Sequence, residues 1–122
     1  MKLVVVVDDE PGYGDILQDV FEDEGYAVLV ATDGAEALAM LKALPSPPCI
    51  VILDLNMPGL DGTAVYEAMR ADPVLAKVAV IIATSEPARA PAGTLVMKKP
   101  FDLDVLLDTV RKCCDDAASV AS

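Results

Sequence analysis

Histidine and tryptophan are absent from the 122 residues, and only nine lysines and arginines stand against twenty aspartates and glutamates. A formal net charge of −11 leaves too few cations to displace counterions from phosphates, which argues against direct nucleic-acid binding and disfavours an anionic membrane surface. Cysteine is scarce too. Three residues, Cys49, Cys113 and Cys114, are too few and too unevenly spaced for a disulfide framework or a zinc site, so they read as reduced thiols with packing roles. Long hydrophobic runs are also lacking: Met1 to Val7 is halted by two aspartates, too short for a signal peptide or a membrane span. The expectation is a soluble, cytoplasmic chain with one domain over residues 1–118 and a flexible tail at 119–122.

What is present is a strict alternation of short apolar runs and helix-period segments. That alternation is the pattern of a doubly wound parallel sheet with helices on both faces. Strands are predicted near 2–7, 26–32, 49–54, 78–84 and 94–98. The first helix follows Pro11, places Tyr13, Ile16, Leu17, Val20 and Phe21 on one stripe, and stops at Gly25. A second opens at Asp33 and Gly34 and is ended near Leu44 by Pro45, Pro47 and Pro48. A third runs from Asp61 to before Pro73, and the last starts at Asp102 with Leu103, Leu106, Leu107, Val110 and Cys114 facing inward. Asp33, Asp61 and Asp102 read as helix caps. Between the fourth and fifth strands, Pro87 and Pro91 leave space for one irregular turn at most, so that edge of the sheet is expected to be thinly covered.

Chemistry gathers at the ends of the strands. Asp8 and Asp9 follow the first, Asp54 ends the third, Thr84 ends the fourth and Lys99 follows the fifth. The carboxyl ends of parallel strands are where open α/β sheets place their sites. Three carboxylates make a hard oxygen site suited to Mg²⁺, and an aspartate is itself a nucleophile toward phosphorus. Lys99 and Thr84 then offer an ammonium and a hydroxyl to the developing negative charge. Each residue alone also has an ordinary structural reading: Asp9 or Glu10 as a cap of the first helix, Asp54 as a loop carboxylate, Thr84 as a strand terminator, Lys99 as a solvated charge. It is their joint placement after four strands that favours chemistry.

These residues resemble the receiver domains of two-component response regulators along almost the whole chain. The resemblance rests on Val-Asp-Asp-Glu at 7–10, Asp-Leu-Asn-Met-Pro-Gly-Leu-Asp-Gly at 54–62, Ala-Thr-Ser at 83–85 and Lys-Pro-Phe at 99–101. It implies a flavodoxin-like five-stranded parallel sheet of order 2-1-3-4-5. It also implies a phosphoacceptor at Asp54, Mg²⁺ held by Asp9 directly, by Asp8 through water and by the backbone carbonyl of Asn56, and phosphoryl contacts from Thr84 and Lys99. A cis peptide is implied at Lys99-Pro100, and the side chains of Asn56 and Glu86 fall at positions that tune acyl-phosphate hydrolysis. The implied donor is a phosphohistidine on a histidine kinase or histidine phosphotransfer protein, which suits a chain with no histidine. Such a module is not an enzyme beyond its own phosphotransfer and autodephosphorylation, and is expected as a monomer or weak homodimer. A direct transcription factor would require a DNA-binding segment beyond these residues.

Two departures bear on how a signal leaves the site. The aromatic residue that receivers carry three positions before the site lysine is Val96 here, and the helix between the fourth and fifth strands is replaced by a short proline-bounded segment. The expectation is that phosphorylation orders the 85–93 loop through Thr84. The alternatives are a degenerate receiver acting only as a docking protein, and a small aspartyl-phosphate hydrolase. The hydrolase reading is weakened because the position two after Asp54 is Asn56 and carries no acid or base. A flavodoxin is disfavoured by the lack of a hydroxyl-rich phosphate loop after the first strand.

Overall fold

The computed structural model describes residues 2–10, 12–57, 59, 61–100 and 102–121, with side chains described through Cys114. Five strands, β1 (Leu3–Val7), β2 (Ala27–Ala31), β3 (Ile50–Asp54), β4 (Ala79–Thr84) and β5 (Leu95–Lys98), form one parallel sheet in the order β2-β1-β3-β4-β5. Every strand lies within about a residue of its expected bounds, and the order is the flavodoxin-like one. Among the described residues four α-helices complete the fold: α1 (Tyr13–Asp23), α2 (Gly34–Ala43), α3 (Gly62–Ala71) and α4 (Leu103–Ala121). The last runs to Ala121, and Ser122 of the expected tail lies outside the described residues.

Strand residues divide by parity, as a pleated sheet covered on both sides requires. Val4, Val6, Ile50, Ile52, Ile81 and Ala83 face Leu17 and Phe21 of α1 and Leu106, Val110 and Cys114 of α4. Val5, Val7, Val51, Leu53 and Ile82 face Ala37 and Leu41 of α2 and Val65 and Met69 of α3. β3 is buried at all five positions and carries Asp54 at its end, so the site is mounted on the most enclosed strand. At α1 the expected stripe is narrower than its apolar spacing suggests. Leu17 and Phe21 are buried, whereas Ile16 is 52% exposed.

The caps follow simple chemistry. Asp33 Oδ1 accepts from Glu36 N–H at 2.7 Å, Asp61 Oδ1 from Ala64 N–H at 3.0 Å, and Asp102 Oδ1 from Asp104 N–H at 2.8 Å. α1 has no side-chain cap, because Gly12 with φ of 83° precedes it and neither Asp9 nor Glu10 serves. Pro11 lies outside the described residues.

Two features sit at the edges of this frame. Between β4 and β5 the chain makes only a 3-10 turn, Pro87–Arg89, and Leu95 of the edge strand is 46% exposed, as the prolines imply. At the opposite end of the sheet, Cys49 and Cys114 form a disulfide, which corrects the reading of both as reduced thiols. Packing of α4 brings their Cα atoms to 5.6 Å, within disulfide range, although they lie 65 positions apart in sequence.

Candidate functional site

The strand ends β1, β3, β4 and β5 converge on one acidic hollow. Register places Val7 beside Leu53, and Asp54 beside Ala83, so residues just past β1 and at the ends of β3 and β4 meet. Asp8, Asp9 and Asp54 each present a carboxylate oxygen, and these atoms lie within 4.8 Å of one another. Asp8 and Asp54 are buried, at 3% and 6% exposure, and Asp9 is half-buried. A cavity of about 470 Å³ is lined by Asp9, Glu10, Asp54, Asn56, Ser85 and Lys99. Close-set carboxylates with few protein cations fit a small divalent ion that prefers oxygen and keeps several waters.

Lys99 reaches this hollow from β5. Its Nζ donates to Asp8 Oδ2 at 2.7 Å and lies 3.6 Å from Asp54 Oδ2. Burial works against its charged form, but the hydrogen bond and the charges of Asp8 and Asp54 outweigh that and raise its pKa. The pKa of Asp54 is raised as well. Burial is the main cause, opposed by the Asn56 N–H and by Lys99 and reinforced by the charges of Asp8 and Asp9. The Lys99-Pro100 peptide is cis.

Thr84 is fully buried, and its Oγ1 accepts from the backbone N–H of Glu86 at 3.0 Å. The hydroxyl proton is not used by that bond and remains available to an acceptor. Ser85, not Thr84, lines the cavity wall. Asn56 stands at the rim, and its backbone N–H donates to Asp54 Oδ1 at 3.1 Å. Gly62 is required beneath: a Cβ there would lie 2.1 Å from the carbonyl oxygen of Asp54, so α3 begins against the backbone of the central carboxylate. Thus Asp8, Asp9, Asp54 and Lys99 are brought together, Asn56 borders them, and Thr84 is buried at the end of β4, one residue past the partner of Asp54 in the sheet. Pro58, Leu60 and Phe101, parts of the sequence motifs, lie outside the described residues.

Two neighbours of the site were not anticipated as functional. Tyr13 was assigned only to the apolar stripe of α1, yet its ring lies under Lys99, with Nζ 4.7 Å from the centroid. Arg89 lies in the proline-bounded connection, and its Nη1 donates to Asn56 Oδ1 at 2.6 Å. Tyr13's place in the first helical turn after Asp8 and Asp9 was a usable signal. For Arg89 the sequence holds none, because the contact spans 33 positions and depends on how the short connection turns.

Comparison with known proteins decides the family. The profile described as "Response regulator receiver domain" matches residues 4–111. The chain belongs to that family. This receiver domain is 32% identical to sporulation initiation phosphotransferase F of Bacillus subtilis (strain 168), covering 89% of this chain and 90% of that protein. It is 36% identical to the alkaline phosphatase synthesis transcriptional regulatory protein PhoP of the same organism, covering 70% of this chain and only 35% of that longer protein. Among solved structures it is similar to the response regulator protein TrrA of Thermotoga maritima in complex with Mg²⁺-BeF, with 30% identity, a TM-score of 0.80, and coverage of 93% and 99% of the two chains. Receiver domains bind Mg²⁺ at an acidic pocket, and Asp8, Asp9 and Asp54 form a group of carboxylates set closely enough to hold a metal ion.

Proposed function

We propose that this receiver domain accepts a phosphoryl group on Asp54 from the phosphohistidine of a histidine kinase or histidine phosphotransfer protein, and thereby switches a partner interaction. The observation that carries the reading is the placement of Asp54 at the end of the buried β3, with Asp8, Asp9 and Lys99 around it. A carboxylate oxygen of Asp54 attacks phosphorus, the phosphorus–nitrogen bond of the donor breaks as the new phosphorus–oxygen bond forms, and the imidazole departs. Lys99 then exchanges Asp8 for the phosphoryl oxygens, and Thr84 donates its hydroxyl to another. Asp8, Asp9, Asp54 and the backbone carbonyl of Asn56 would hold Mg²⁺, which when bound offsets the repulsion between the carboxylates and the incoming phosphoryl group.

The donor has a route in. A cleft of about 470 Å³ lined by Glu10, Tyr13, Ile16, Ser85, Lys99, Pro100 and Leu103 adjoins the site. The exposed Ile16 and the ring of Tyr13 give it an apolar side suited to a helix that presents a phosphohistidine. The module has no separate substrate to turn over. Among the described residues no helix is long and apolar enough to cross a membrane.

Incubation with Mg²⁺ and acetyl phosphate tests the reading by intact mass. A single labile phosphoryl adduct is expected in the native chain and not in Asp54→Asn. No adduct under any condition would favour a docking role independent of phosphorylation, and turnover of unrelated phosphoesters would favour a hydrolase.

A further inference from the structure

Arg89 is carried by the part of the chain that departs most from the family pattern, yet it touches the site. The 3-10 turn Pro87–Arg89 is tied to the end of β4 by two successive bonds. Glu86 N–H donates to Thr84 Oγ1 at 3.0 Å, and Arg89 N–H donates to the Glu86 carbonyl at 3.0 Å. Its guanidinium then lies 2.6 Å from Asn56 Oδ1, while the backbone N–H of Asn56 holds Asp54 Oδ1 at 3.1 Å. The cation and the carboxylate are therefore held by the same rim residue.

The present partners of the guanidinium are weak for a group of its kind. Asn56 offers a neutral amide oxygen. The Glu86 carboxylate is 3.6 Å away, and both side chains of that pair are about half exposed, so its attraction is screened by water. A phosphoryl group on Asp54 would bring about two negative charges and several oxygens to the neighbouring residue. Hydrogen bonds from guanidinium to phosphate are charge-assisted, frequently paired, and about twice as strong as bonds to a neutral acceptor.

Building on the assignment of Asp54 as phosphoacceptor, we propose that Arg89 senses the phosphoryl group, leaving Asn56 Oδ1 for a phosphoryl oxygen and drawing residues 85–93 over the site. Thr84 and Arg89 then grip the group from the two ends of one short segment. The 85–93 segment changes its order because its own arginine gains a charged ligand, with no preformed helix to shift.

The test uses the full chain with beryllofluoride, a phosphoryl mimic, and compares the native protein with Arg89→Gln and Arg89→Lys. Binding is followed by fluorine NMR in excess Mg²⁺, Mg²⁺ affinity is measured separately, and amide exchange is read across residues 85–93. Arg89→Gln is expected to weaken beryllofluoride about tenfold, the loss of one charge-assisted bond, with Arg89→Lys recovering part of it. Mg²⁺ alone should bind Arg89→Gln as tightly as the native chain or more tightly, since a positive charge has been removed. Exchange protection of 85–93 should rise with beryllofluoride in the native chain and not in Arg89→Gln. Glu86→Gln should tighten beryllofluoride by releasing the guanidinium, an independent check if Arg89→Gln folds poorly.

Equal beryllofluoride affinity in native and Arg89→Gln proteins would overturn the proposal while leaving phosphorylation of Asp54 intact. Parallel loss of Mg²⁺ and beryllofluoride binding would also overturn it, because Arg89 would then only support the rim. A native chain that neither binds beryllofluoride nor takes a phosphoryl group from acetyl phosphate would remove the phosphoacceptor assignment itself.

Discussion

The ammonium of Lys99 bridges two carboxylates, 2.7 Å from Asp8 Oδ2 and 3.6 Å from Asp54 Oδ2. A divalent cation bound by the same aspartates has to share Asp8 with this ammonium or displace it. Lys99→Met should therefore bind Mg²⁺ more tightly, by about threefold to tenfold for removal of one like charge from a partly buried site. Calorimetric titration reads this directly. Unchanged or weaker affinity would show that metal and lysine do not compete for Asp8.

The raised pKa of Asp54 has a definite sign in stability. The folded chain holds this proton at pH values where the unfolded chain has already released it. Stability from this group therefore falls as pH rises from the ordinary carboxylate pKa through the raised folded value. In the presence of a chelator, Asp54→Asn should gain melting temperature relative to the native chain between pH 4 and pH 7. Lys99 acts at the other extreme: its raised pKa gives a stabilisation that is complete below the ordinary lysine pKa of about 10.4 and is lost as pH rises through the folded value. A constant difference between the two proteins from pH 4 to pH 7 would contradict the assigned burial of Asp54.

Gly62 admits no side chain. Its Cβ would meet the Asp54 carbonyl oxygen at 2.1 Å and Leu55 Cα at 2.8 Å, both backbone atoms that cannot rotate aside. Gly62→Ala should cost about 1–3 kcal/mol in urea unfolding and slow adduct formation with acetyl phosphate, because relief comes only by moving Asp54. Native-like stability together with native-like phosphorylation would mean that α3 shifts freely against β3.

The disulfide between Cys49 and Cys114 closes a long loop that joins the start of β3 to α4. Reduction should lower stability by about 2–4 kcal/mol. Alkylation of the denatured chain should add two more adducts after reduction than before it. Equal alkylation with and without reductant would show both sulfurs as thiols, the state expected of a chain in a reducing compartment.

Much of this was legible because it is local or repetitive. The runs Val4 to Val7 and Ile50 to Leu53 are apolar at every position, which only a strand covered on both faces tolerates. Asp33, Asp61 and Asp102 precede helices, and their cap bonds reach two or three residues along the chain. The carboxylates and Lys99 were legible because strand ends in a parallel sheet share one edge. What escaped depends on the third dimension. Ile16 has helical spacing but falls beside the buried face defined by Leu17 and Phe21. The Cys49–Cys114 pair and the Arg89–Asn56 bond join segments that no local pattern connects.

The close fit of Gly62 against Asp54 also has a mechanical consequence. β3 is bonded to neighbours on both sides and abuts the start of α3, so it forms a stiff seat beneath the carboxylate. β5 is a four-residue strand bonded only to β4 within the sheet, and it is fed by a single 3-10 turn. A bulky group added at Asp54 cannot push its seat backward. Such a group meets this seat on one side and, on the other, the end of the short edge strand that carries Lys99.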